Sequence, residues 1–182
     1  MAAAASDLSC EHPAAGGCLS VTMPTSQEIA TVLDQLARGP RLVRQVIDEV
    51  PPELRRRRPA PGDWSAHEHA VHLPAIYPLV TRRLDQMLRD PSQPIKDYEP
   101  SRDDPDDAQS KLDLDAEMDR FDRERAAMIE RLKTLAPDQW AIAVEHEEYS
   151  HYSAFIMFRH LALHDLYHAY RIEERLLRKE WA

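Results

Sequence analysis

HLALHDLYHAYRI, residues 160–172, places a histidine at every fourth position: His160, His164 and His168. Residues four apart on an α-helix are neighbours on one face, separated by about 40° around the axis. The stretch reads as the middle of a long helix from about Ser153 to Lys179, and that helix sets the frame for the rest. Low glycine content, abundant Leu, Ala, Glu and Arg, and repeated 3.6-residue periodicity elsewhere indicate an all-α protein. The chain has 182 residues and 43% hydrophobic residues, enough for one core.

Three further helices are read upstream. Thr25 or Ser26 caps the first, with Glu28 in its first turn. Its apolar stripe runs from Ile29 through Val32, Leu36, Val43 and Ile47 to Val50; Gly39-Pro40 bends or interrupts it, and Pro51-Pro52 ends it. Ser65 and Glu68 have the spacing of a capping box, so the second helix is expected from Ser65 to about Leu88. The third is expected over roughly residues 112–135, ending before Pro137. Residues 90–111, with four prolines and a run of aspartates, read as a long solvated crossover. The expected architecture is a four-helix bundle with its long connection between the second and third helices, a class whose core commonly houses metal sites.

Residues 1–22 read as a disordered tail and residues 23–182 as the folded domain. Cys10, Cys18 and His12 could chelate a metal, but two thiols in an Ala/Gly/Ser segment read as free thiols of a reduced compartment. Asp103, Asp104, Asp106 and Asp107 lack the glycine and terminal glutamate of a calcium loop. The net charge of −9 argues against nucleic acid as a partner. The run Arg55–Arg58 reads as a solvated helix end or loop, with a patch for an anion as the alternative. No segment reaches the roughly 18 apolar residues of a membrane span, and no signal peptide is evident. The expected location is the cytoplasm.

His164 and His168 can direct two imidazoles at one point, which suits zinc, nickel or a similar divalent ion. His72 falls on the same stripe as Ile76 and Leu79, pointing into the bundle. A buried imidazole there needs a partner, either a core hydrogen bond or a metal. His69 lies about 60° from His72 on the helical wheel, and His67 lies on the far side. His160 is either a fourth ligand or a residue deeper in the bundle, hydrogen-bonded in or behind the site. His146 and His151 are expected to face solvent, with lining of the pocket as the alternative. Arg171 and Arg175 could hold a carboxylate of a thiol cofactor or an acidic substrate; the alternative is a dipole-favouring cation paired with Glu173 or Glu174. Tyr167 and Tyr170 could donate a hydrogen bond to substrate or pack between helices. Asp165 is expected to orient an imidazole or face solvent; it is too short for the glutamate of an H-E-x-x-H protease, and no third histidine follows downstream. A ferritin-like di-iron site would need two E-x-x-H elements, and only Glu148/His151 has that spacing.

PGDWSAHEHAVHL, followed some ninety residues later by HDLYHAYRI, resembles the DinB-like (YfiT-like) family of metal-dependent enzymes. Trp64, Ser65, Glu68, His72 and Leu73 match that family's W-S-x-x-E-x-x-x-H-L element; His164, Asp165, His168 and Ile172 match its H-x-x-x-H element. RLKTLAPDQW, residues 131–140, is similar to the turn before its last helix, and the likeness spans about residues 25–178. The resemblance implies a bundle in which His72, His164 and His168 hold Zn²⁺ or Ni²⁺ with open positions. It also implies a small-molecule substrate and a low-molecular-weight thiol as co-substrate, since characterised members include thiol-dependent transferases and an isomerase. The expected activity is a thiol-dependent S-transferase. Hydrolysis by metal-activated water is the alternative, and a non-catalytic, metal-binding bundle that forms a homodimer is a third reading. Two departures stand out. Tyr170-Arg171 replaces the family's usual Gly-Gln, and Pro74 and Pro78 follow His72 where a kink could turn it away or open the site.

Overall fold

Thr25 and Ser65 start their helices in the same way. In the computed structural model, which describes residues 23–99 and 107–179, each side chain accepts from the backbone N–H three residues on. Glu28 and Glu68 reach back to the cap backbone in turn. Each cap satisfies helix-end donors that would otherwise be orphaned, worth about 1 kcal/mol. The helices are α1 (Ser26–Glu49), α2 (Ala66–Ala75), α3 (Tyr77–Arg89), α4 (Leu114–Lys133), the single turn α5 (Pro137–Trp140) and α6 (Ala154–Leu176). The expected second helix is thus two, broken at Ile76 between Pro74 inside α2 and Pro78 in the first turn of α3.

α1 and α2 each pack against both α4 and α6, which puts them at opposite corners of a four-helix bundle. Residues 90–113 make the long connection. Part of it is anchored rather than solvated. Ile95 is buried and bridges in parallel to His146, its N–H donating to Glu145 O at 2.8 Å. A two-residue antiparallel ladder, β1 (Ala143–Val144) with β2 (Tyr152–Ser153), closes the segment before α6. The arginine run braces this end of the bundle. Arg55 donates to Val50 O, Arg56 to Leu112 O, and Arg58 pairs with Glu68 and Asp107.

The apolar core forms two clusters. One collects Leu36, Val80, Leu84, Met87, Leu132, Trp140 and Phe158; the other collects Val43, Ile47, Leu73, Phe121 and Ile172. Between them along α1, α4 and α6 lies a polar level. Arg125 and Asp165 form a buried two-pronged ion pair, with Nη2 to Oδ1 at 3.1 Å. Gly39 makes room for it, because a Cβ at position 39 would lie 2.9 Å from Asp165 Cγ and closer still to Oδ2. α1 runs unbroken through Gly39-Pro40, where the sequence pattern suggested a bend or interruption.

No helix among the described residues is long and apolar enough to cross a membrane. Residues 1–22, with Cys10, His12 and Cys18, and Asp103, Asp104 and Asp106 lie outside the described residues.

Candidate metal centre

The Ser65–Glu68 box fixes where α2 begins, and so where His72 points. Burial raises the Glu68 pKa, but Arg58 and Ser65 outweigh it and hold the carboxyl below its ordinary value. Two turns later His72 projects toward α6. There His164 and His168 stand one turn apart, and the three residues offer ring nitrogens that all lie within 4.8 Å of one another. His164 Nε2 and His168 Nε2 are 3.0 Å apart. Two imidazoles on one tetrahedral zinc at about 2.05 Å would be separated by about 3.3 Å, so the pair needs little adjustment to share an ion.

Burial, and then the neighbouring groups, keep these rings neutral. Burial, with a minor contribution from His69, pushes His72 down to about 4. Burial, followed by His72, His160 and Arg125, pushes His164 down to about 3. Burial and then His164 lower His168 further. Neutral imidazole is the ligating form, so the site is ready for a cation near neutral pH. His72 Nδ1 and His164 Nδ1 are buried without a hydrogen-bond partner among the described residues. A set of neutral, convergent nitrogens with no carboxylate in it fits a borderline ion such as Zn²⁺ or Ni²⁺ better than Mg²⁺ or Ca²⁺.

His69 was placed off this site by the helical wheel, yet its Nδ1 lies 2.9 Å from His168 Nδ1. One proton serves both atoms. When His168 Nδ1–H donates, His168 Nε2 is left bare and directed at His164 Nε2. A second group that orients a ligating imidazole in this way is the usual arrangement in metal sites. Trp64 packs over the cluster, its ring 4.9 Å from His72, 5.9 Å from His168 and 5.5 Å from His69. The W-S-x-x-E-x-x-x-H element therefore combines a hydrophobic cover, a helix cap and one candidate ligand.

The cluster borders a cavity of about 560 Å³ that runs along α6. At one end are Tyr149, Tyr152 and His146; at the other are Asp63, Arg171 and Arg175. Tyr167 borders it, its ring 5.2 Å from His168. Several expectations are corrected. Tyr170 is 59% exposed and is not among the cavity-lining residues. His160 is exposed at the cavity wall, its ring 5.7 Å from Tyr149, and does not lie deeper in the bundle behind the ligands. Asp165 neither orients an imidazole nor meets solvent, because Arg125 engages it on the other side of α6. His146 is buried, its ring tilted against that of Tyr152 with centroids 4.4 Å apart, and it lines the cavity instead of facing solvent. His151 is exposed, as expected. Arg171 pairs with Glu174, and Arg175 donates to Trp64 O at 3.0 Å. The break at Ile76 leaves His72 facing the other two histidines.

Comparison with protein families gives a match of residues 35–172 to the DinB superfamily. The chain belongs to the DinB superfamily. This DinB-superfamily protein also shares its fold with a solved structure, YfiT from Bacillus subtilis. That protein is described as a probable metal-dependent hydrolase with an unusual four-helix bundle topology. The two are 15% identical, the alignment covers 87% of this chain and 91% of YfiT, and the TM-score is 0.75. Comparison with curated proteins gives no match.

Proposed function

We propose that this chain is a metal-dependent enzyme in which His72, His164 and His168 hold Zn²⁺ or Ni²⁺ and a thiol is joined to an electrophilic small molecule. The observation that carries the reading is the three-histidine cluster facing a cavity, with no fourth ligating side chain in the group among the described residues. A divalent ion held by three neutral imidazoles lowers the pKa of a thiol or water bound at its open position. The protein's own part is positional. Trp64 limits water on one side, His69 fixes the ring of His168, and Arg171 and Tyr167 border the substrate space.

Hydrolysis is the second reading, favoured by the fold shared with YfiT. The thiol reading ranks first because water attack profits from a carboxylate base at the metal, and Asp165, next to His164, is committed to Arg125. The test is metal analysis of wild type and His164→Ala, followed by assay against an electrophile with and without glutathione, bacillithiol or mycothiol. Thiol-dependent turnover that disappears with the metal supports the transferase; equal turnover without thiol supports the hydrolase; full metal content in His164→Ala refutes both.

The chain is further proposed to act as a homodimer in the cytoplasm. Leu163, Leu166, Tyr167 and Tyr170, spaced i, i+3, i+4 and i+7 on α6, are all exposed, a stripe suited to pairing two copies. Sedimentation should give twice the chain mass in wild type and the chain mass in Leu166→Glu.

A further inference from the structure

One end of the cavity holds donors without acceptors. His69 Nε2, Arg171 Nε and Arg175 Nη2 are buried and have no hydrogen-bond partner among the described residues, and all three residues line the same cavity. His69 comes from α2; Arg171 and Arg175 come from α6, one turn apart.

Arg175 is the unusual member. It is 3% exposed, its Nε donates to Trp64 O at 3.0 Å, and it makes no carboxylate ion pair among the described residues. A buried guanidinium without an anion is costly unless something else supplies one. Burial, followed by the charge of Arg171, lowers its pKa, against opposing contributions from Asp63 and Glu174. Arg171 has Glu174, but only through Nη1. His69 completes the set. If its Nδ1 accepts from His168, its proton sits on Nε2, the atom left without a partner.

We propose that this end of the cavity is a carboxylate subsite. His69, Arg171 and Arg175 would bind the carboxylate of a molecule whose reacting end lies at His72, His164 and His168, an inference that rests on the metal-site reading above. An ionised carboxylate offers about four lone-pair positions, enough for three donors, and a guanidinium fork matches its plane. At 1.5 Å per residue, Arg171 and Arg175 stand about 4.5–10.5 Å beyond His168 along α6. The ligand is therefore a short carboxylic acid with its reactive group a few methylenes away. Either the thiol or its electrophilic partner could carry that group.

The probes are ω-mercaptocarboxylates with two to five methylenes and their neutral amides, titrated into cobalt-substituted protein and followed by sulfur-to-cobalt charge-transfer absorbance. At the best length the acid should bind about tenfold or more tighter than its amide, the size expected of charge-assisted hydrogen bonds. That preference should shrink to within about twofold in Arg171→Gln and Arg175→Gln, with cobalt content unchanged. Should Arg175→Gln not fold, Arg171→Gln, whose side chain is 30% exposed, decides. Glutarate that binds together with the amide places the carboxylate on the second substrate. Glutarate without effect, beside a retained acid preference, places it on the thiol; both outcomes support the subsite. Equal affinity for acid and amide in cobalt-loaded protein, with no binding of glutarate, overturns it. Failure of wild type to take up cobalt overturns the metal site instead. Glutarate binding to the metal-free protein, and its loss in Arg171→Gln, then decides the subsite alone.

Discussion

Arg125 Nη1 donates to Leu36 O at 3.2 Å, and Leu36 O is the carbonyl that position 40 would satisfy if it were not proline. Proline inside a helix removes one i→i−4 bond and normally costs about 3 kcal/mol. Here a guanidinium from α4 supplies the missing donor while also pairing with Asp165. Gly39, beside the proline, lets the Asp165 carboxylate approach α1. These residues form one unit that fixes the rotation of α6 next to His164 and His168.

Gly39→Ala should consequently destabilise the fold by about 2–4 kcal/mol, since the new methyl meets a buried carboxylate that cannot retreat without leaving Arg125. Arg125→Ala should cost about 3–5 kcal/mol by stranding Asp165. Urea unfolding of each variant measures both. A loss under 1 kcal/mol in Arg125→Ala would show that the pair does not hold α6.

His69→Ala should keep one bound zinc per chain but weaken it about 10- to 100-fold, the usual effect of removing a group that orients a ligand. His72→Ala should lose the ion. Competition with a chromophoric chelator gives both affinities. Identical affinity in wild type and His69→Ala would mean that the proton shared with His168 has no influence on the metal.

In the metal-free protein, His72 and His164 are held near 4 and 3 against an ordinary 6.5. Between those values and 6.5 the unfolded chain binds protons that the folded chain refuses. The folded state is thus most favoured above pH 6.5 and loses stability as the pH falls, by about 1.4 kcal/mol per pH unit for each histidine. Urea midpoints between pH 8 and pH 5 should drop steeply below 6.5 in wild type and less steeply in His72→Leu. Parallel curves would remove these rings as the cause.

Helix starts were legible because a capping box is a local pattern, read directly at Ser65 and Glu68. The convergence of His72, His164 and His168 was legible through helical spacing together with the family resemblance. What escaped was decided across the bundle. Pro40 does not break α1 because Arg125, 85 positions away by number, supplies a donor, and no local pattern encodes that. Asp165 was misplaced for the same reason. His69 was within reach, since i and i+3 are helix neighbours; measuring its angle only from His72 hid its approach to His168 on α6. The strands are two residues each, too short to show alternation.

Trp64 offers an optical check on the whole site. Its ring lies 4.9 Å from His72 and stacks 5.9 Å from His168, whereas Trp140 packs among Phe155 and Phe158 in the apolar core. Drawing both imidazoles onto an ion shifts the charge and the ring positions beside the indole. Zinc titration should therefore change the tryptophan emission of wild type in a saturable way, with a midpoint matching the chelator-derived affinity. Trp64→Phe keeps an aromatic cover, so it should bind zinc within about threefold of wild type while losing the emission change. If the change persists in Trp64→Phe, the ion binds somewhere other than beneath this ring.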